Sequence, residues 1–501
     1  MPVPSRSTTD AEVSDVPDLL VAWFQGNGGS ISNLSVADDE EMGLCLMTTE
    51  SVQKGDVVMS IPTSLCMTME TAEASDLKPV LQAYPELLDS PDEVLALHLM
   101  REKLRGTDSF WYSYLRTLPK EVDTPLGWIL HDDEEFTLLE GTMVGLLARM
   151  MNAQVMKDWE QVHLPLVEAF PALLGGLTFE DYYWAFSSIW SRAFDYVEQR
   201  PDGQALSRRA MVPVINAANH HPSAGGSLAD MVELEAVAAT FSEAGGTGSG
   251  IVVDGDSTDK TKGFLRVRAG RSYDAGEQFF VLYGRYSNAK LLYSYGFVLP
   301  DNPYASLDYW VKVPPSDPGF GWKKALLRSN PLTAVQTYDF FGTLRSGGWI
   351  SPALMATARV AQLTEQERSR AQNAFRGQIV SARNEAAALG SLLACLKRKL
   401  SSQRSSADAE RELIDQLEEK KEKLRRMGDD GEHDESNVDC LASMVKLNRE
   451  VMAARVRWEE KATVGEAIVA LEKSLKQLQS VCTTNDEKAL GNFHPIDAPN
   501  A

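Results

Sequence analysis

The sequence predicts an α+β protein in which two β-rich regions flank a helical insert and a set of long helices follows. Short runs of alternating or β-branched residues lie near both ends of residues 17–310. Between them, over about residues 92–193, apolar residues recur with a period close to 3.6. Beyond residue 320 apolar residues again follow helical spacing. We therefore expect a split β-rich domain followed by an all-α domain.

The predicted domains follow from these changes of pattern. Residues 1–16 are expected to be a disordered N-terminus, 17–310 the split domain, 320–482 the helical domain and 483–501 a loose tail. The boundary is placed near residues 312–321, where Pro314, Pro315, Pro318 and two glycines interrupt any regular element.

Each β-rich region contains several short strand-like runs. The first has runs at 31–36, 43–48 and 56–61, and the second at 211–215, 231–240, 250–253, 264–269 and 278–282. Amphipathic patterns predict helices at 18–24 and 288–294. Polar stretches at 401–409 and 428–437 predict loops between the long C-terminal helices.

Composition limits the functional classes. The 501 residues include 71 Asp and Glu against 49 Lys and Arg, a formal net charge of -22. Such a surface repels nucleic-acid phosphates and anionic lipids and attracts basic partners. No run reaches the 18 to 20 apolar residues of a membrane span. We expect neither a nucleic acid nor a membrane as partner.

Metal and redox chemistry find little support in the sequence. The five cysteines include no CxxC pair, which indicates reduced thiols in an intracellular protein. Among the seven histidines only His220 and His221 are adjacent, and neighbouring side chains on an extended segment point apart. GxGxxG, GxxxxGK[ST], GxSxG and HExxH motifs are all absent. No metal site is predicted.

Tyr, Asn, His and Gly residues concentrate in the second β-rich region. An apolar run over 212–215 leads into a small-residue turn that carries Asn216, Asn219 and His220. Further on, Tyr283-Gly284 and Tyr295-Gly296-Phe297 flank a short predicted helix. Small residues beside polar and aromatic side chains suit close approach to a ligand.

These motifs resemble the end of a SET domain of the Rubisco large-subunit lysine methyltransferase class. Blocks elsewhere agree in the same order over about 250 residues; they are Gly43-Leu44, Lys54-Gly55-Asp56, Ile61-Pro62, Ser109-Phe110-Trp111, Tyr114-Leu115, Leu118-Pro119, Asp123-Thr124-Pro125-Leu126 and Ser191-Arg192-Ala193-Phe194. Each block alone is a weak signal. Their shared order makes coincidence improbable.

The resemblance implies a split SET domain with a helical insert, followed by a helical substrate-binding domain. It implies S-adenosylmethionine as cofactor and protein-lysine N-methylation as activity. Carried over by position, the catalytic residues would be Tyr283 and Tyr295. The cofactor-binding residues would be Glu40, Glu41, Met42, Arg192, Asn216, Asn219, His220, Tyr295 and Phe297. The expected partner is a histone or non-histone protein with an accessible lysine in a basic segment, and the chain is expected to be a cytoplasmic or nuclear monomer.

Physical chemistry supports these roles independently. Methyl transfer is an in-line displacement that needs a neutral acceptor nitrogen about 3 Å from the methyl carbon. A dry aromatic channel lowers the pKa of a lysine, and tyrosine rings attract a cationic sulfonium. Arg192 could pair with the carboxylate of the cofactor's methionine moiety, and Asn219 could bond its amino group.

Two alternatives stay open. A branch of the same class methylates histidine in actin, and it carries Asn two residues after the arginine and Ser in place of the YGF tyrosine. Phe194 and Tyr295 at those positions favour lysine here. The other alternative is an inactive SET-fold binding module, because Glu41 stands where the class usually has glycine and Asn216 where it commonly has aspartate.

Overall fold

The computed structural model describes residues 16–39, 42–131, 134–199, 205–236, 263–334, 341–429 and 436–483. These residues divide between two compact units, one of residues 1–122 and 152–285 and one of residues 123–151 and 286–501. One division between the units falls after residue 285. The domain bounds drawn from the sequence stay a prediction. The predicted N-terminus and tail lie almost entirely outside the described residues, as does the strand-like run at 250–253.

The described residues form strands and helices with the following bounds. The strands are β1 (Ser30–Ile31), β2 (Leu34–Asp39), β3 (Gly43–Thr48), β4 (Val57–Pro62), β5 (Met67–Thr68), β6 (Phe194–Gln199), β7 (Ala205–Met211), β8 (Asn219–His220), β9 (Val232–Ala236), β10 (Gly263–Arg268), β11 (Phe280–Val281), β12 (Ser306–Trp310), β13 (Phe341–Arg345) and β14 (Trp349–Ile350). The helices are α1 (Val16–Gly26), α2 (Met69–Glu73), α3 (Lys78–Ala83), α4 (Pro91–Arg105), α5 (Tyr112–Leu115), α6 (Pro125–Leu130), α7 (Met143–Asp158), α8 (Leu164–Ala169), α9 (Pro171–Leu174), α10 (Phe179–Arg192), α11 (Leu228–Met231), α12 (Asn288–Tyr295), α13 (Phe320–Ser329), α14 (Pro352–Ala361), α15 (Gln372–Phe375), α16 (Ala382–Ser401), α17 (Ala407–Asp429) and α18 (Ser436–Thr483).

The described residues of the first unit form four small sheets. The largest has the order β1-β4-β10-β9 with antiparallel pairing throughout. Its core lies under β4 and β10, where Met59, Ile61, Leu265 and Val267 are buried. The other sheets are β2-β3, β5-β7-β6 and the parallel pair β8-β11. This last pair sets Asn219 opposite Phe280 and His220 opposite Val281, two residues before Tyr283.

The predicted strand at 211–215 is wrong. Strand β7 ends at Met211, and residues Ile215–Ala217 form a 3₁₀ turn. Pro213 has no N–H to donate to a ladder, and the N–H of Ile215 donates to the Pro213 carbonyl instead. The run is apolar because Val212, Val214 and Ile215 are fully buried. Burial alone therefore produced the strand-like pattern.

Two other strand-like runs differ from the prediction in detail. The run at 31–36 is divided between β1 and β2 by Asn33, whose φ of 58° turns the chain. The run at 231–240 begins at the end of α11, and only β9 of it is extended within the described residues. Asn tolerates positive φ better than other residues with a Cβ, which explains the break after Ile31.

Helix α10 carries the end of the insert to the candidate site. It begins at a capping box in which the Thr178 hydroxyl accepts the N–H of Asp181 and the Asp181 carboxylate accepts the N–H of Thr178. Its buried face, which includes Tyr182 and Ile189, packs beside α4. The helix ends at Arg192, where a cation interacts favourably with the helix dipole.

The second unit is mainly helical, as predicted. Leucines at helical spacing on α16, namely Leu389, Leu392 and Leu396, share a core with Val464 and Leu471 of α18. The predicted loop at 401–409 is shorter in the structure, where residues 402–406 separate α16 from α17. Residues 430–435 of the second predicted loop lie outside the described part. Among the described residues, no helix is both long and apolar enough to span a membrane.

A three-stranded antiparallel sheet, β12-β13-β14, lies within this helical unit. Leu307, Leu344 and Ile350 bury one face of it in the core shared by α16 and α18. Strands β13 and β14 are five and two residues long. Runs this short, joined by a turn with two glycines of positive φ, give little periodic signal, so the sequence did not predict them.

Glu459 on α18 yields a prediction about stability. Its buried carboxylate accepts the N–H of Asn288 at 3.0 Å, and burial raises its pKa to about 7. Because the folded-state pKa lies above the unfolded value, protonation of the Glu459 carboxylate stabilises the fold. This stabilisation is fully present below about pH 4.3 and is lost as the pH rises through 7. Glu459→Gln should therefore raise the free energy of unfolding at pH 8 by roughly 3 kcal/mol and have little effect at pH 4.5.

Urea unfolding of both proteins across this pH range measures the difference. Glu450→Gln is the matched control, because Glu450 lies on the same helix and makes no hydrogen bond or ion pair among the described contacts. Its difference from the unmodified chain should not vary with pH. A pH-independent difference for Glu459→Gln as well would show that the carboxylate stays ionised in the fold.

Candidate active site

A strained turn introduces the Asn- and His-containing segment. Val214 has φ 64° and ψ -53°, and the N–H of Ile215 donates to the Pro213 carbonyl at 2.8 Å. This is a γ-turn with positive central φ, a rare conformation that is costly for a β-branched residue. Strain of about 1–3 kcal/mol at such a residue persists only where surrounding contacts hold it. The segment from Asn216 to His220 starts directly after this turn.

The side-chain amide of Asn216 forms hydrogen bonds with three protein groups. Its Oδ1 accepts the Tyr114 hydroxyl at 2.5 Å and the N–H of Val212 at 3.2 Å, and its Nδ2 donates to the Arg192 carbonyl at 2.9 Å. The last contact satisfies one of the unpaired carbonyls at the end of α10. An aspartate could not donate to that carbonyl. The replacement of the class aspartate by Asn216 therefore suits this arrangement.

Arg192 is a cation without a counter-charge in the described structure. Its Nη1 donates to the Ser191 hydroxyl at 3.1 Å, and no described carboxylate forms an ion pair with it. Desolvation lowers its pKa, while the nearby Tyr283 and Tyr114 phenols act in the opposite direction. A desolvated guanidinium that lacks a carboxylate favours an anionic ligand.

Asn219 and His220 lie on β8, beside β11. The Asn219 Nδ2 is buried and has no hydrogen-bond acceptor among the described residues. The His220 Nδ1 accepts the backbone N–H of Tyr283 at 3.0 Å. Burial, and secondarily His221, lowers the pKa of His220 to about 4, so its imidazole is neutral at pH 7. Asn219 thus offers a buried donor, whereas His220 holds the backbone of Tyr283.

Tyr283 is fixed at both its backbone and its hydroxyl. The hydroxyl donates to the Ala218 carbonyl at 3.1 Å, and the ring lies 5.2 Å from the His220 ring between centroids. Burial raises the pKa of the phenol, and Arg192 partly offsets the rise. The phenol is therefore protonated at neutral pH. It can orient a nitrogen without acting as a nucleophile.

The second unit holds the other predicted aromatic residues. Tyr295 ends α12, stacks on Tyr286 with ring centroids 6.2 Å apart, and lies 6.2 Å from the Phe297 ring. Gly296 between them has φ 80°, and a Cβ there would lie 2.5 Å from the Asp123 carbonyl oxygen. Only glycine allows this close approach. The backbone of the YGF motif is thus fixed by its middle residue.

One of the remaining predicted ligands, Met42, directly precedes β3. Met42 is 50% exposed, and its N–H donates to Asp39 Oδ1 at 2.9 Å. The predicted ligands Glu40 and Glu41 fall outside the described residues. No contact joins Met42 to Arg192 or Tyr283 among the described interactions.

The sequence missed Tyr114 as a site residue. It belongs to a matched block, yet a tyrosine on a short helix gives no sign of a role. Its ring is fully buried and its hydroxyl lies within hydrogen-bond distance of Asn216, 102 positions later. Across the described ranges no group of three or more His, Cys, Asp or Glu side chains could hold a metal ion.

The chain is similar in sequence and in fold to known proteins. Residues 314–463 match the family model described as Rubisco LSMT substrate-binding. A crystal structure of the SET domain of LSMT bound to lysine and AdoHcy superimposes with a TM-score of 0.70 at 21% identity, covering 93% of each chain. Rubisco LSMT bound to AdoMet gives a TM-score of 0.65 at 20% identity, again over 93% of each.

The chain has the SET-domain fold of Rubisco LSMT. This confirms both the resemblance and the predicted fold class, a split SET domain followed by a helical substrate-binding region. Tyr283, Arg192, Asn219 and His220 all lie in one compact unit of this fold.

The similar curated proteins carry a different acceptor residue in their name. Actin-histidine N-methyltransferase of Mus musculus is 26% identical over 371 residues, which are 72% of this chain and 55% of that protein. The Homo sapiens protein of the same name is 25% identical over the same shares. The chain therefore spans about half the length of the curated relatives it matches.

Proposed function

We propose that the chain is an S-adenosylmethionine-dependent protein N-methyltransferase. The observation that carries the proposal is that two polar groups near Tyr283 lack a complementary partner among the described residues. Arg192 lacks a carboxylate partner and Asn219 Nδ2 lacks an acceptor among the described residues. The carboxylate of the cofactor's amino-acid moiety could accept hydrogen bonds from both. The Arg192 carbonyl accepts a hydrogen bond from Asn216, and Asn219 directly follows Ala218, whose carbonyl accepts the Tyr283 hydroxyl.

Each of the chain's own residues has a distinct proposed task. Arg192 and Asn219 hold the cofactor, which supplies a methyl group on a sulfonium. Tyr283 donates its hydroxyl proton to the Ala218 carbonyl, so its oxygen can accept an N–H of the acceptor side chain and orient it. Tyr295 and Phe297 keep the roles carried over by position. Asn216 is engaged with three protein groups, so we propose that it shapes the site rather than binds the cofactor. Glu40, Glu41, Met42 and His220 stay proposals carried over by position.

Cofactor binding separates an enzyme from an inactive module. Isothermal titration of the full chain with S-adenosylmethionine should give a saturable heat. No heat at millimolar cofactor would favour the inactive SET-fold binding module instead, which Glu41 motivated.

Histidine is the acceptor that we now propose first. The sequence ranked lysine first because of Phe194 and Tyr295, but the similar curated proteins are named for histidine methylation. A neutral histidine needs no prior loss of a proton at pH 7, whereas a lysine does. Lysine remains the second candidate, on Phe194 and Tyr295.

Product analysis distinguishes the two acceptors. The chain is incubated with methyl-labelled S-adenosylmethionine and either actin, the substrate named for the relatives, or a cell extract. The labelled protein is then hydrolysed to amino acids. Labelled methylhistidine would support the first candidate and labelled methyl-lysine the second. Arg192→Met, in which cofactor binding should be much weaker, is the control for labelling that does not depend on the proposed cofactor site.

The pH dependence of kcat/KM gives an independent prediction. A histidine acceptor loses its proton near pH 6.5, so the rate should rise to a plateau by about pH 7.5. A lysine acceptor would make the rate rise until about pH 10. The experiment measures initial rates from pH 5.5 to 9.5 on the labelled substrate protein. A tenfold rise between pH 7.5 and 9 would contradict the histidine proposal.

The partner and location remain proposals as well. A protein substrate is supported by the match of residues 314–463 to a substrate-binding family model. The net charge of -22 favours a basic segment around the acceptor. A monomer in the cytoplasm or nucleus fits these proposals.

A further inference from the structure

We propose that Tyr114 is a positioning residue for Tyr283 and that it acts through Asn216 and the turn at Val214. The proposal deepens the proposed methyl transfer and rests on it for its kinetic consequence. The contacts that carry it lie within one compact unit. They connect the insert helices to the segment that holds the reacting tyrosine.

The first step is the contact between Tyr114 and Asn216. The Tyr114 hydroxyl donates to Asn216 Oδ1 at 2.5 Å, and the ring is 1% exposed. Asn216 in turn joins the Val212 N–H and the Arg192 carbonyl. One amide therefore ties helix α5, the end of α10 and the 212–216 turn together. We call these four residues the Asn216 clamp.

The second step is the strain that the clamp opposes. Val214 holds φ 64° within the turn that Asn216 closes by accepting the Val212 N–H. A γ-turn of this kind stays populated only where neighbouring contacts over-determine it. Without the Tyr114 hydroxyl, Asn216 Oδ1 keeps a single weaker donor at 3.2 Å. The turn is then free to relax toward negative φ.

The third step links relaxation of the turn at Val214 to the position of Tyr283. Ala218 lies two residues after Asn216, and its carbonyl accepts the Tyr283 hydroxyl at 3.1 Å. His220 lies two residues further, and its Nδ1 accepts the Tyr283 N–H at 3.0 Å. Both supports of Tyr283 are thus on the segment that the clamp fixes. A shift of the turn moves the phenol relative to Arg192.

Methyl transfer depends steeply on such placement. A displacement of about 1 Å of an aligned group costs up to 10²-fold in rate. Partial relaxation in Tyr114→Phe should therefore lower kcat by about 10-fold. The Arg192 guanidinium and Asn219 amide remain present, so the dissociation constant for S-adenosylmethionine should change less than threefold. KM for the acceptor should likewise change little.

Tyr112→Phe is the matched control. Tyr112 lies on the same short helix and is partly buried, and its ring contacts only the Arg116 guanidinium among the described aromatic and hydrogen-bond contacts. Its loss of a hydroxyl should leave kcat unchanged. Equal kcat in Tyr114→Phe and Tyr112→Phe would overturn the proposal. A fall in melting temperature with unchanged kcat in Tyr114→Phe would also overturn it, since that result describes a purely structural residue.

A double-mutant cycle with Asn216→Ala tests the pathway. If Tyr114 acts through Asn216, the double variant should have the kcat of Asn216→Ala alone. Multiplied effects of the two substitutions would show that Tyr114 acts by another route and would overturn the proposal. Asn216→Leu gives a second variant should the alanine protein not fold, because it keeps a similar side-chain volume and removes the acceptor for Tyr114.

A readout without turnover keeps this inference separate from the proposed function. The full chain is labelled with 3-fluorotyrosine, and the Tyr283 resonance is assigned by its absence in Tyr283→Phe. The fluorine shift of Tyr283 should change in Tyr114→Phe and stay fixed in Tyr112→Phe. An unchanged shift in both would overturn the positioning role. A wild-type chain that binds no cofactor and transfers no methyl group would overturn the proposed function, whatever the fluorine spectra show.

Discussion

Tyr283→Phe is expected to lower kcat on the order of 10²-fold or more while leaving the affinity for S-adenosylmethionine within about threefold. The hydroxyl donates to the Ala218 carbonyl, and the phenol stays protonated because burial raises its pKa. It is therefore available to orient an acceptor nitrogen. Cofactor-binding groups such as Arg192 are untouched by the change. Single-turnover rates and isothermal titration measure the two effects separately.

Tyr273→Phe is a close control for this substitution. Tyr273 is buried, and its hydroxyl donates to the Phe280 carbonyl at 3.1 Å, the same distance as the bond from Tyr283 to the Ala218 carbonyl. Each variant should lose about 1 kcal/mol of stability with its hydrogen bond. Only Tyr283→Phe should lose turnover. Full activity in Tyr283→Phe would remove this residue from catalysis.

Arg192→Met is expected to weaken S-adenosylmethionine binding by about 10²-fold or more, because a charge-assisted contact to a carboxylate is lost in a desolvated site. The unliganded protein should be as stable as the unmodified chain or more stable. Arg192 makes no ion pair with a described carboxylate, and removal of a desolvated, unpaired cation relieves a cost. Titration calorimetry and urea unfolding without cofactor measure these opposite effects.

Arg359→Met provides the contrasting result. Arg359 is buried and forms a bidentate pair with the buried Glu385, with bonds of 2.7 and 2.9 Å. Its removal leaves a buried carboxylate alone and should cost about 3–5 kcal/mol of stability. Cofactor affinity of the folded fraction should not change. If Arg192→Met behaved like Arg359→Met in urea, Arg192 would have a structural partner and its proposed ligand role would be wrong.

The sequence by itself determined the fold class and the identity of several candidate residues. Changes of apolar period located the β-rich regions, the insert and the C-terminal helices, because one-sided burial imposes a period of 2 or 3.6 on any chain. The order of the matched blocks pointed to Arg192, Asn219, His220 and Tyr283. These four residues lie in one compact unit, although their roles await the experiments above.

Only the tertiary structure decided how the polar groups are partnered. Asn216 could be assigned to a ligand from the sequence, but its amide meets Tyr114, Val212 and Arg192. The apolar run at 212–215 predicted a strand, yet it folds as a strained turn. Hydrogen bonds between residues 24 and 102 positions apart leave no periodic trace in a sequence. Whether a donor or a charge is satisfied depends on what the fold places beside it, which is why the unpaired Arg192 and the clamp at Asn216 emerged only from the structure.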